Sequence, residues 1–412
     1  MNEKLRLIVG AALLGAFLPF PARAFHLGLG SAVAGQGAKV VNAVANPIPS
    51  CGGNFTLFTQ PPVVDANLVG VTPLGSQSSH ILPPDHMYFN YNEPLPNLNQ
   101  NLYAPSNGWV VQVTVNNQSS GQPFGINPNY YIGFAPCAEV ALNFLEIATL
   151  SPKVSAALSA PSSQTTCTSF NHGGGGGNPE VGVGCVTNMI LPVKAGDILG
   201  TGLVDDFGPL EDTRVSFSGF ANPSRHDLHR GFCPLNYFAA GALPPAQYTP
   251  GINNGPVLIP RNASPVCGTI MQDVPGTAQG DWYFPGADTS FESAHLALDH
   301  DAVYTSTAVF SVGTSMPSIL QGKEFFSPKT SMDGTRIDYD FNLVNDNQIY
   351  CYDSFAVNTQ GGAMPGLAGH IVLVQLSGPS NASLTIEVQN PSADCLGAGT
   401  WAFTGAAVGF QR

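Results

Sequence analysis

Histidines and carboxylates are sparse in this sequence, so the places where they gather are where chemistry would be found. His226-Asp-Leu-His229 would bring two imidazoles to one face if the segment were helical, and zinc sites do use such pairs. Two ligands do not make a site, and the segment also reads as a polar loop before Cys233. His295, Asp299, His300 and Asp301 form a second group. Its oxygen-rich sequence suits a calcium loop, yet no EF-hand or Gly-Asp repeat frames it, so it reads as a solvated turn. Asp205-Asp206 is an adjacent acidic pair in which mutual repulsion could raise a pKa. Two exposed turn residues explain it equally well. His86, beside Asp85, has no partner at metal-ligand spacing and by itself reads as a loop histidine. A serine nucleophile lacks its Gly-x-Ser-x-Gly elbow. The five glycines Gly173–Gly177 lack the strand, helix and lysine of a phosphate cradle, and read as a loop tethered by its flanking cysteines.

The elements that must hold such residues are mainly β-strands. Gly108–Asn116 alternates so that Trp109, Val111, Val113 and Val115 face one side, and Asn129–Phe134 is a second strand. Glu139–Leu150 spaces Val140, Phe144, Ile147 and Leu150 at helical intervals, which predicts a short amphipathic helix ended by Pro152. Met189–Leu203 and Arg214–Phe220 resume strand character. The Pro-rich passage 243–266 reads as a linker. Beyond it, Thr307–Val312, Arg336–Val344, Gln348–Tyr352, His370–Leu376, Ser383–Val388 and Thr400–Phe403 are short strands separated by turn residues, the pattern of a sandwich or barrel.

The 412 residues suffice for two or three domains. Lys4 and Arg6, the apolar run Leu7–Phe20 and Ala22-Arg-Ala24 predict a signal peptide over residues 1–24, followed by a flexible leader over 25–50. The protein is therefore expected in the periplasm or outside the cell, with no transmembrane anchor in the mature chain. Eight cysteines in an exported chain imply four disulfides. Neighbour pairing joins Cys51 to Cys137, Cys167 to Cys185, Cys233 to Cys267 and Cys351 to Cys395. A formal net charge of -13 excludes nucleic acid as a partner, because phosphate binding needs Lys and Arg.

Two short motifs carry a resemblance. Leu102-Tyr-Ala-Pro-Ser-Asn-Gly-Trp-Val-Val-Gln-Val113 and Val193-Lys-Ala-Gly-Asp-Ile-Leu-Gly200 resemble the frame of the lysostaphin-type (LytM-type) zinc endopeptidases, which cut peptidoglycan cross-links. The resemblance implies a duplicated-hybrid-motif β-sheet domain over 51–242, ahead of a second β-domain over 267–412. It also implies positions for two histidines and an aspartate as zinc ligands, with a further histidine assisting the bound water. His86 matches the first ligand, but Asn90 stands where the aspartate belongs. Glu146 stands at the middle histidine, and Arg214 and Ser216 replace the H-x-H pair. One ligand of three cannot hold catalytic zinc. Arg214 near the same pocket would repel a divalent cation.

The aromatics Tyr88, Phe89, Tyr91, Tyr103, Trp109, Tyr130 and Tyr131 could stack on sugar rings, or could simply fill a β-core. The sequence is thus expected to encode an exported, non-catalytic peptidase-like protein without a cofactor. It would bind a cell-envelope glycan, peptide or protein through His86, Asn90, Trp109, Glu146, Arg214 and Ser216. Two alternatives stand beside this reading. One is a metallohydrolase whose zinc is held by His86, Glu146, His226 and His229; the other is a structural surface or assembly protein.

Overall fold

The computed structural model describes residues 47–77, 80–92, 99–120, 125–160, 164–173, 179–204, 206–216, 231–254, 257–287, 292–317, 320–356, 369–390, 394–397 and 400–412. The fold is mainly β. Ten antiparallel strands form the first sheet: β1 (Leu68–Val71), β2 (Met87–Tyr91), β3 (Gln100–Tyr103), β4 (Gly108–Ser120), β5 (Asn129–Cys137), β6 (Val140–Leu150), β7 (Gln164–Gly173), β8 (Pro179–Val193), β9 (Ile198–Gly202) and β10 (Asp206–Asp212). Their order is β1-β2-β10-β6-β5-β4-β8-β7, with β9 pairing both β3 and β6.

The two motifs that carry the resemblance meet in space. Leu102 pairs with Gly200 across β3 and β9, and Gly108 pairs with Val193 across β4 and β8. The turns between them are stitched together: Ala104 N–H donates to Asp197 O at 2.9 Å, Gly196 N–H to Ala104 O at 3.0 Å, and Ala195 N–H to Asn107 Oδ1 at 3.0 Å.

One face of the sheet carries the core. Phe207 of β10 stacks between Phe89 of β2, at 5.1 Å, and Phe144 of β6, at 6.1 Å. Met87, Val113, Ile132, Phe134 and Ile147 join the same buried cluster. Cys51–Cys137, Cys167–Cys185, Cys233–Cys267 and Cys351–Cys395 are all disulfide-bonded, as neighbour pairing predicts.

Several expectations give way. Residues 140–150 form strand β6, buried at its first eight positions. A strand covered on both faces reads as a continuous apolar run, which helical spacing fits equally well. Pro152 starts a helix instead of ending one: α1 (Pro152–Leu158) is capped by Ser151, whose Oγ accepts from Val154 N–H. A bulge between Val110 and Gln112 shifts the alternation of β4, so Val110 and Val113 both reach the core while Trp109 is half-buried on the other face. Arg214 and Val215 are turn and bend, directly after β10; residues 217–220 of the expected strand lie outside the described residues.

The Pro-rich passage is folded. It holds α2 (Pro245–Tyr248) and the hairpin β11 (Gly251–Asn254) with β12 (Val257–Pro260). Tyr248 is buried in the first core, where its hydroxyl donates to Val63 O at 2.8 Å.

The remaining strands are β13 (Gly280–Trp282), β14 (Leu296–His300), β15 (Ala308–Val312), β16 (Gly322–Phe326), β17 (Ile349–Tyr352), β18 (Phe355–Ala356), β19 (Ile371–Ser377), β20 (Ser383–Gln389) and β21 (Val408–Gln411). They form a five-stranded and a four-stranded sheet around one core, as a sandwich does. Phe310 of one sheet meets Tyr352 of the other at 5.1 Å. Arg336–Val344 is not a strand, because Arg336 and Asp338 take left-handed φ of 58° and 54°. The closing strand is β21, not 400–403.

Phe207→Ala removes the ring shared by three strands and is expected to cost about 3–5 kcal/mol. A urea titration followed by fluorescence checks this; a loss under 1 kcal/mol would mean the stack does not organise the sheet.

Candidate functional site

The segment before β2 folds back across the second unit and brings two histidines onto one tyrosine. His80 Nε2 lies 2.7 Å from Tyr88 Oη, and His86 Nε2 lies 2.9 Å from the same oxygen. Each outer ring nitrogen meets a carboxylate: His86 Nδ1 lies 3.0 Å from Asp85 Oδ1, and His80 Nδ1 lies 2.8 Å from Glu292 Oε1. The other Glu292 oxygen accepts from the Ile81 and Leu82 backbone N–H groups, both at 3.1 Å. Glu292 belongs to the sandwich half, so this chain of hydrogen bonds ties the two halves together.

Glycines make room for it. A Cβ on Gly208 of β10 would sit 3.1 Å from His86 Cα, and one on Gly231 would sit 2.4 Å from Asp85 O.

Proton counting constrains this chain. Four hydrogen bonds need four protons, while two neutral imidazoles and one phenol supply three. A further proton on one ring would complete the set. The pKa of His80 is raised. Burial works against its charge, but the Glu292 charge and hydrogen bond outweigh that; Asp85 adds to the rise and Lys323 opposes it. Lys323 of β16 is itself pushed down to about 8, because burial disfavours its ammonium more than Glu292 restores it.

Strand alternation places the rest of the site. Met87, Phe89, Phe144, Phe207, Val113 and Ile132 point into the core. Period two therefore puts His86, Tyr88, Asp206, Gly208, Thr114, Asn116 and Asn129 on the opposite face. Asp206, opposite Tyr88, is buried in a strand and is not an exposed turn residue. Asn116 and Asn129 face each other across β4 and β5. The Thr114 Oγ1, Asn116 Oδ1 and Nδ2, and Asn129 Oδ1 atoms are buried without a hydrogen-bond partner.

The residues singled out by the resemblance are dispersed along this sheet. Asn90 Oδ1 accepts from Thr72 Oγ1 at 3.2 Å, and its Nδ2 donates to Gly251 O. Glu146, at a left-handed φ of 59°, accepts from Asn129 Nδ2 at 2.8 Å. Arg214 lies beyond the far end of β10 from Asp206 and does not approach His86 to repel a cation there. It forks onto Asp212, with Nη2 at 2.7 Å from Oδ2, and stacks 4.3 Å over Phe55 while donating to Gly52 O and Asn54 O. Arg214 is thus a clamp on residues 52–55. Ser216 is exposed beside it. The strand neighbouring His86 is Asp206–Asp212, so Asp206 and Gly208, not Arg214 and Ser216, occupy that flank. Among the described residues, the trio with ligand atoms within metal reach of one another is Cys51, Cys137 and Glu139, whose cysteines are disulfide-bonded. His226 and His229 lie outside the described residues.

The acidic group near His295 is also corrected. His295 and Asp299 lie fully buried at and within β14, not in a solvated turn. Asp299 Oδ2 accepts from Gln77 Nε2 at 3.2 Å, and burial with the nearby Asp273 charge holds its carboxyl well above the usual range. Of the aromatics considered for sugar stacking, Phe89 is core, Tyr91 and Tyr130 pack against it, and the Tyr91 hydroxyl donates to Leu203 O.

Sequence reasoning did not single out His80, Glu292 or Lys323. The available signal was Pro83-Pro84 between His80 and His86, which turns the chain so that both rings reach Tyr88. No protein-family model, curated protein or solved structure matches this chain.

A raised histidine pKa stabilises the fold fully below its unfolded value of about 6.5, and that stability is lost as pH rises through the raised folded value. His80→Gln should therefore cost more stability at pH 6 than at pH 9, measured by urea midpoints. Lys323 acts in the opposite sense above pH 8 and interacts with His80 through charge, so the difference reads His80 together with its effect on Lys323. An equal cost at both pH values would contradict the raised His80 pKa.

Proposed function

We propose that this chain is an exported, non-catalytic, peptidase-like protein that binds a glycan, peptide or protein partner of the cell envelope. The two turn motifs of the lysostaphin-type frame supply the resemblance, and they pair strand to strand. The observation that carries the non-catalytic reading is the engagement of the ligand positions elsewhere. Asn90 is bonded to Thr72 and Gly251, Glu146 to Asn129, and Arg214 to Asp212. Four disulfides support an oxidising, exported setting. Among the described residues, no helix is long and apolar enough to cross a membrane.

The binding surface in this reading is the polar face of the first sheet, where Trp109 and Tyr131 are half-buried beside the enclosed Thr114, Asn116 and Asn129. Each buried polar group without a partner costs about 1–3 kcal/mol, and the unpartnered atoms of Thr114, Asn116 and Asn129 lie together on that face. Neutral amides and hydroxyls suit a neutral, hydrogen-bonding ligand such as a peptide backbone or an acetamido sugar.

Thr114→Val keeps the shape and removes an unpartnered hydroxyl. It should raise stability by about 1 kcal/mol in urea, whereas Trp109→Ala, at a half-buried position of the same face, should weaken retention on insoluble peptidoglycan. Unchanged retention would remove this face from the binding reading. Metal-dependent release of peptide ends by the wild-type protein would favour the metallohydrolase alternative.

A further inference from the structure

A second polar site lies away from that sheet face, where the folded Pro-rich passage meets the sandwich. A cleft of about 200 Å³ is lined by Arg261, Ser264, Thr269, Gln272, His300, Asp301 and Thr305, among others. Arg261 is 6% exposed as a residue and borders the cleft. Its Nε donates to Pro265 O at 2.8 Å and its Nη1 donates to Ala302 O. Among the described residues no carboxylate is in ion-pair contact with it, and Nη2 makes no hydrogen bond. The negative group that acts on it, Asp301, does not touch it and is itself disfavoured as a charge by burial, so this cation at the cleft wall leaves room for a ligand anion beside it.

The walls are held in place. Gln272 grips His300 from both sides, Nε2 donating to His300 O and Oε1 accepting from His300 N–H, each at 2.9 Å. The His300 ring is fixed by Asp340, with Nε2 3.1 Å from Oδ2. Asp301 Oδ1 accepts from the Val303 and Tyr304 N–H groups at 2.8 and 2.7 Å.

We propose that this cleft binds a small carboxylate-bearing, hydroxylated ligand, with Arg261 Nη2 on the carboxylate and the Ser264, Thr269 and Thr305 hydroxyls on its neutral polar groups. One available guanidinium nitrogen suits a monoanion. A phosphate dianion would meet the Asp301 carboxyl, which shares the wall. The proposal is independent of the peptidase-like reading, because no residue of the resembled frame lines the cleft.

The test is a titration of the full-length, disulfide-bonded protein followed by NMR or calorimetry at constant ionic strength. The probes are glucuronate, acetate and inorganic phosphate, with chloride as the control. Saturable binding in the order glucuronate, acetate, phosphate is expected, weakened at least tenfold in Arg261→Gln. Thr305→Trp places a ring in the cleft from an exposed rim position, leaves Arg261 in place, and should abolish binding while leaving the melting temperature unchanged. It keeps the test intact if Arg261→Gln fails to fold. No saturable carboxylate binding, undiminished binding in a folded variant, or phosphate binding more tightly than glucuronate would each overturn the proposal.

Discussion

The two-residue period of the central strands is the constraint on which the rest of this structure depends. With Phe89, Phe144 and Phe207 stacked on one face of β2, β6 and β10, their neighbours in sequence must lie on the other. That requirement puts His86 and Tyr88 on the flank that meets the sandwich half, and Thr114, Asn116 and Asn129 further along the same side. A slip of one residue would exchange the aromatic core for a row of amides. Glu146 escapes the alternation through its left-handed backbone, and so reaches Asn129.

The same face explains how the two halves hold together. The hydrophobic contact between them is small, a cluster of Leu82, Tyr283 and Ala297 with Ile81 beside it. Polar contacts supplement it: Gln77 with Asp299, Ser311 with His80 O, and Glu292 with His80 and two backbone N–H groups. Buried polar contacts of this kind are directional, and they set a relative orientation that a small apolar patch alone would leave loose.

Local chemistry was legible in the sequence, and long-range cover was not. The sandwich strands β15, β17, β19 and β20 and the strands β4 and β5 follow from alternation and turn residues; neighbour order names the four disulfide pairs that form, but order alone does not fix connectivity. The strand β6 misleads because burial on both faces erases its period. His295 and Asp299 read as solvated because polar residues usually are; here the first half covers them through Gln77. Trp109 changes face at a bulge that no residue type announces. The partnership of His80 with Glu292 spans 212 residues, beyond what any local pattern encodes. The resemblance sets Arg214 and Ser216 at the H-x-H pair, whereas the strand that flanks His86 begins at Asp206.

In the structure Asn90, Glu146 and Arg214 are bonded to other residues, and we propose that the paired turns belong to a peptidase-like frame without its zinc. Metal content tests it most directly, by elemental analysis of the purified full-length chain before and after chelation. The account predicts zinc well below one ion per chain and peptidoglycan retention unchanged by chelation. One zinc per chain, removed by the chelator together with a peptidoglycan-cleaving activity, would contradict it.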